Sequence, residues 1–443
     1  MSVKFSNPRG TADILPSEIP LWHLLENTSR VLFQRYGYKE IRTPFFEDTS
    51  LFKRSLGETA EVVNKQLLGL VSGRAEAGND NGKESPALSL RPEGTASVVR
   101  AYNQYDIGRE EFLSKLFYIG PMFRGERPQK GRLRQFHQIG AEAIGRGADH
   151  PLLDAEMLVL ATHILKVLGL KDFKVYINSL GTTEDKARFA LWLREKLKDK
   201  IVSLNEECRV QYERNVFRLL DSKDPDCQAM IRELNIAGEH LSSGGAQYFR
   251  EVCAALDAAG VPYEIAPRLV RGLDYYTHTV FEITSSGLGS QDAIGAGGRY
   301  NGLIEQLGGG DRRQSGPLGA IGFALGMERV MLALESQAQL ALPAVATDVF
   351  VVCGQEALEP QAFCLVNDLR KAGVGAQMDF GRGRPLKKQF EQADRQAARF
   401  VIIYGTDEAS RFMVGLKDMS TREQRLVPRD SVVDEMQRLC LGN

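Results

Sequence analysis

Between residues 16 and 37 the apolar positions Leu21, Leu24, Leu25 and Leu32, with Thr28 among them, recur at helical spacing. Proline stands near the start and glycine just past the end, so the pattern predicts a long amphipathic helix. It runs straight into an alternating segment, residues 38–44, that reads as a strand; the terminal Pro44 cannot donate to a ladder and suits an edge or an interface. A polar stretch at 72–86 reads as a loop, after which 87–95 predicts a strand breaking into a turn and 96–102 a helix. Residues 116–119 and 136–144 are apolar strands joined by the basic segment 124–134, which gives a hairpin with a long charged loop.

A helix is expected at 154–168 and a strand at 173–178. Thr182 with Asp185 then forms a capping box that opens a polar, helix-patterned region, in which Ala190, Leu193 and Leu197 mark one face. Residues 182–262 read as an inserted helical subdomain, and strand character returns at 263–266 and 279–284. A glycine-rich segment precedes 318–334, a strand leading into a helix. These pieces predict an α+β domain over 1–335 built on a mostly antiparallel sheet with a helical insertion. Beyond a linker at 336–347 the pattern becomes strand 349–353, helix 358–371, strand 375–378, helix 386–398 and strand 400–404, which implies a separate α/β domain over 348–443. Ser431 and Asp434 suggest a second capping box at its closing helix.

Composition narrows the function classes. The 443 residues carry 56 Lys plus Arg against 57 Asp plus Glu, so nucleic-acid binding has to come from local patches. With 43% hydrophobic and 26% charged residues the chain is globular, and disorder and fibre are excluded. No window approaches the roughly 18 apolar residues of a membrane span and the N-terminus lacks an apolar signal core, so a cytoplasmic location without membrane attachment is expected. The six cysteines form no CxxC pair and the six histidines no HExxH motif, so no metal-ligand set is expected. A Walker sequence is absent, and Gly295, Gly297 and Gly298 fail the dinucleotide fingerprint because Tyr300 stands at the third glycine's place.

Chemistry concentrates in four segments. Within 124–134 five residues are basic, Arg124, Arg127, Lys130, Arg132 and Arg134, and guanidinium forks suit phosphate oxygens; a solvated hairpin tip is the other reading. The same loop holds Glu126, an acceptor for a purine amino group. Gln138 and Glu142 follow on one face of an otherwise apolar strand, which requires a buried hydrogen-bond network or a ligand. Arg271, Tyr275 and Tyr276 offer a cation and two phenols to a small polar substrate, or are packing residues. Glycines at 295–302 allow close backbone approach to a ligand or form a turn between strands, and those at 319–326 precede a helix carrying Arg329. Arg124, Arg271 and Arg329 would together suit a triphosphate if the fold makes them converge.

Taken in order, these motifs resemble the histidyl-tRNA synthetase family of class II aminoacyl-tRNA synthetases over nearly the whole chain. Residues 38–44 with their preceding helix resemble the first class-defining motif, at the homodimer interface. FRGERPQKGRLRQFHQ (123–138) resembles the second and GFALGMER (322–329) the third, while 269–282 and AGGRYNGL (296–303) resemble stretches particular to the histidine enzymes. The resemblance implies that Arg124 holds the α-phosphate, that Glu126 reads adenine, and that Arg132 and Arg329 contact the outer phosphates of ATP. It implies that Glu93, Thr95 and Gln138 hold the α-amino group of L-histidine, and that Glu142 and Tyr276, with Tyr275 adjacent, recognise the imidazole. Arg271 would be the catalytic cation beside the carboxylate and α-phosphate, with Arg124. Arg127 and Gln129 would face the tRNA(His) acceptor end, and Mg²⁺ would accompany ATP. The final domain is similar to class II anticodon-binding domains, in which Arg382, Arg384, Lys387, Lys388, Arg395 and Arg399 would meet RNA phosphates. Asn301 departs from the aspartate common after GGRY. Non-catalytic relatives that regulate histidine biosynthesis are the main alternative; they typically lack the extra domain and parts of the substrate constellation present here.

Overall fold

An eight-stranded sheet organises the N-terminal part of the computed structural model, which describes residues 5–57, 60–71, 87–236, 238–271, 273–289, 292–309, 318–337 and 347–442. Its order is Lys39–Glu40, Leu113–Phe123, Gln135–Gly145, Gly319–Gly326, Ala293–Arg299, Thr277–Thr284, Lys174–Ser179 and Glu264–Ile265. The sheet is mixed: the inner strands pair antiparallel, and the two-residue strand at each edge pairs parallel. The glycine segment left open between turn and ligand loop is itself an inner strand.

The long hairpin pairs Leu113 with Gly145 through to Phe123 with Gln135 without a break. Strand alternation sends Phe117, Ile139, Ala141 and Ala143 into one core and leaves Leu116, Tyr118, Met122 and Ile144 on the other face. The first core is covered by helices Ile19–Arg35 and Pro151–Val167, and Phe33 stacks on Phe117 at 4.5 Å. Each such fully buried large side chain contributes about 1.5–3 kcal/mol. The second face, roofed by helix Thr95–Gln104 and the 269–276 segment, carries the polar residues of the candidate site.

Strand 38–44 is realised only at Lys39–Glu40, at the sheet edge. After Ile41, whose amide still donates to the Phe117 carbonyl, the chain turns away so that the Thr43 and Pro44 carbonyls accept from the Arg91 guanidinium. The Thr182–Asp185 capping box is present at helix Thr183–Leu197. Region 182–262 divides between two cores. Phe189, Leu193, Cys208, Leu219 and Ile231 form a core of the insertion's own, whereas Val252 and Leu256 of helix Ser243–Ala258 join the main-sheet core. The loop expected at 72–86 and most of the linker at 336–347 lie outside the described residues.

The chain separates into compact units Met1–Leu340 and Ala341–Asn443. The second holds a five-stranded sheet in the order Ala376–Met378, Val349–Cys353, Phe400–Tyr404, Met413–Asp418 and Gln424–Pro428. Its first three strands are parallel; the last two add an antiparallel extension that the sequence pattern did not reveal. The closing helix Val432–Leu441 forms without the expected capping box. Ser431 has near-helical backbone angles and its hydroxyl donates back to the Pro428 carbonyl at 3.2 Å, so it does not reach the helix amides.

Candidate active site

Glu142 projects from the second hairpin strand and is almost wholly buried. Its Oε1 accepts the Thr95 hydroxyl at 2.7 Å, with the Tyr118 hydroxyl at 3.5 Å, and its Oε2 accepts the Tyr300 hydroxyl. Burial pushes its carboxyl up to about 8, against the pull of these donors. Gly322 pairs directly with Glu142 on the neighbouring strand, and a Cβ there would overlap the carboxylate. Gly298, the next residue across, is likewise without room for a Cβ because the Tyr276 ring lies on it. The recurring glycines thus make a flat floor on which a buried acid and an aromatic ring stand.

Tyr275 and Tyr276 are buried with ring centroids 4.6 Å apart, and Tyr275 meets Tyr300 edge-on at 5.5 Å. Burial raises Tyr276 to about 12, so it is a neutral donor at physiological pH. Gln138 lies on the same strand face as Glu142, and its Oε1 is buried with no hydrogen-bond partner among the described protein atoms. Glu93 is buried and occupied: its two oxygens accept the Thr95 and Ala96 amides at 2.6 and 2.9 Å. It therefore fixes the start of helix Thr95–Gln104, and burial raises its carboxyl against those bonds.

The arginines converge, which spacing could not show. Arg124 donates to the Pro92 carbonyl at 2.9 Å and its guanidinium lies over the Phe136 ring. Glu126 stands 3.7 Å from Arg124 and 3.4 Å from Arg132, within electrostatic range of Arg329. Arg271 is ion-paired with Glu282, whose charge also reaches Arg329. Arg124 and Arg132 thus share Glu126, Arg271 holds Glu282, and Arg329 feels the charge of both carboxylates. Arg127 and Gln129 are exposed near the loop's tip, where Gln129 and Arg132 exchange backbone hydrogen bonds around Gly131 at φ +73°. They do not join the buried cluster. Among the described residues no group of three or more His, Cys, Asp or Glu is arranged to hold a metal ion.

Sequence reasoning missed Tyr118, Tyr300 and Glu282. Tyr118 belongs to the same period-two face as Met122, and Tyr300 follows the glycine run, so both were visible as positions but not as partners of Glu142. Arg299, next to Tyr300, makes a fully buried ion pair with Asp154, and its guanidinium also donates to Asn301 at 3.0 Å. In the second unit Arg384, Lys388 and Arg399 each pair with a carboxylate, of Asp379, Glu391 and Asp348 respectively.

The model of the histidyl-tRNA synthetase family matches residues 10–330, and that of an anticodon binding domain matches residues 348–439. The chain belongs to the histidyl-tRNA synthetase family. It is 43% identical to a histidine–tRNA ligase of Moorella thermoacetica over 98% of both chains, and 43% identical to one from Halothermothrix orenii over 98% of this chain and 99% of that one. Its structure resembles that of the apo histidyl-tRNA synthetase of Staphylococcus aureus with a TM-score of 0.79 and 35% identity, covering 98% of this chain and all of the other. No helix among the described residues is long and apolar enough to cross a membrane.

Proposed function

We infer that this chain is an ATP-dependent histidine–tRNA ligase of class II. It activates L-histidine to histidyl-adenylate and transfers the histidyl group to tRNA(His). The observation that carries the specificity is the buried Glu142, which accepts from the hydroxyls of Thr95, Tyr118 and Tyr300 within the cluster that also holds Tyr275 and Tyr276. An imidazole N–H adds a donor to that acceptor; an apolar side chain of similar size buries the acid further without supplying one and is disfavoured. The Gln138 Oε1, buried without a partner among the described residues, suits the substrate's ammonium group.

ATP lies among these arginines, with Glu126 toward the adenine amino group and Arg124 at the α-phosphate. Arg132 and Arg329 hold the outer phosphates, and Mg²⁺ enters with ATP. A histidine carboxylate oxygen attacks the α-phosphorus, the bond to the bridging oxygen breaks, and pyrophosphate departs. Arg271 and Arg124 neutralise the charge that builds up on the phosphorus oxygens, so positioning and electrostatics supply the rate and no protein nucleophile is required. In the second step a terminal ribose hydroxyl of tRNA attacks the adenylate carbonyl and AMP leaves, its phosphate taking the proton. Arg127 and Gln129, exposed on the loop, meet the acceptor end in this reading. Cytoplasmic location and a homodimer formed through the N-terminal helix and edge strand complete this reading.

The test is amino-acid-dependent exchange of pyrophosphate into ATP with purified protein, Mg²⁺ and each of the twenty amino acids. Exchange with histidine alone is expected. Absence of exchange from folded protein would instead favour a regulatory, non-catalytic role.

A further inference from the structure

The segment carrying Arg271, Tyr275 and Tyr276 is held from outside the sheet by the helical insertion. Lys186, in the first turn of helix Thr183–Leu197, sends its ammonium to two backbone carbonyls of that segment, Asp274 at 2.7 Å and Tyr276 at 2.9 Å. The same ammonium lies over the Phe217 ring. Asn215 and Arg218, also from the insertion, donate to the Asp274 carboxylate at 2.9 and 3.1 Å. Phe217 and Leu220 pack both on the insertion's own core and on the cluster that contains Tyr275 and Tyr276. On its other side Asp274 is pressed against Gly57, where a Cβ would crowd its Oδ2 and φ is +85°. Three donors from the insertion therefore meet on one turn, and that turn sets where the Tyr276 ring stands over Gly298.

The geometry points to Lys186, Asn215 and Arg218 as positioning residues for histidine recognition, so that the insertion is a structural arm of the amino-acid pocket. This rests on the ligase reading of the site. The local chemistry supports it. Lys186 is half-buried and burial lowers its pKa, yet the group facing it most closely is a pair of carbonyl oxygens rather than a carboxylate oxygen, with the Asp274 charge favouring and the Arg218 charge opposing its protonation. An ammonium in such surroundings contributes directional donors to the backbone, which a surface ion pair does not. The capping box of Thr182 and Asp185 fixes the helix start from which Lys186 projects, and Asp185 itself accepts from the Ser242 amide and hydroxyl. The chain from 182 to 276 is thus a closed brace: helix start, lysine, substrate segment.

The experiment is histidine-dependent pyrophosphate exchange in the full chain with Lys186→Met, Lys186→Arg and Arg218→Ala, titrating histidine and ATP separately. Loss of the two charge-assisted bonds should raise KM for histidine about tenfold in Lys186→Met while KM for ATP stays within about twofold. Lys186→Arg retains donors for both carbonyls and should recover most of the loss. Arg218→Ala, at a more peripheral site, should raise KM for histidine about threefold, and it keeps the proposal testable if Lys186→Met does not fold. Unchanged KM for histidine in the folded variants overturns the proposal, as does an equal rise in both KM values. A wild-type protein that shows no exchange at all would defeat the ligase reading itself, a distinct outcome visible before any variant is made.

Discussion

Glu142→Gln is the most informative single change, because the side chain keeps its size while losing the charge. In the wild type both carboxylate oxygens receive hydroxyl donors, from Thr95 and Tyr300. A glutamine amide keeps one acceptor and presents an NH₂ where the other was, so either Thr95 or Tyr300 has to turn its proton away. Above pH 8, where the carboxylate dominates, the substrate's imidazole N–H also loses a charged acceptor, and a hydrogen bond to a charged group contributes about 1.5–3 kcal/mol, equivalent to roughly tenfold to a hundredfold in KM for histidine. ATP should bind as before, since Glu126 and the arginines belong to a separate cluster. The pH profile gives a second signature. With the Glu142 carboxyl raised to about 8, the protonated form dominates below that value. If the carboxylate is the form that accepts from the imidazole, KM for histidine should fall about fivefold between pH 7 and pH 8 and about twofold more by pH 9, and the variant should lack this slope. Pyrophosphate exchange measured against histidine at several pH values, with ATP saturating, reads both effects. Unaltered KM for histidine in Glu142→Gln would remove Glu142 from recognition and refute the assignment of the pocket.

Glu126→Gln should raise KM for ATP about tenfold with histidine binding unchanged, because it sits among Arg124, Arg132 and Arg329; equal effects on both substrates would count against its place at the adenine. Arg271→His should lower the exchange rate about a hundredfold or more with an unchanged circular dichroism spectrum, and near-normal exchange would defeat its charge-compensating role. Arg299→Met leaves Asp154 buried without its cation and should cost about 3–5 kcal/mol in urea denaturation followed by tryptophan fluorescence; a loss under about 1 kcal/mol would show that Tyr248, which also bonds Asp154, suffices.

Period and punctuation alone determined much of this protein. The two apolar runs around 124–134 specified a hairpin, and the separation of four between Gln138 and Glu142 placed both on one face, as the register shows. The Thr182–Asp185 capping box was legible because both of its bonds are local, made within four consecutive residues. Ser431 and Asp434 carry the same spacing but form no box, since the backbone angles at Ser431 are set by the preceding strand and turn. Local pattern left the final hairpin of the second unit invisible: its six- and five-residue strands carry too little periodicity to stand out.

What only the tertiary structure decided was who meets whom. Glu142 and Tyr300 are 158 positions apart, and Lys186 and Asp274 are 88 apart. Such partners are brought together by strand order and by the path of the insertion, neither of which is encoded in spacing. The glycines at 298 and 322 were readable as places of close approach, but what approaches, a tyrosine ring and a carboxylate, became definite only when neighbouring strands aligned them. Sequence specified the chemical groups and their local geometry; long-range packing brought Glu142, Tyr300 and Thr95 into contact, because it alone fixes distances between residues far apart along the chain.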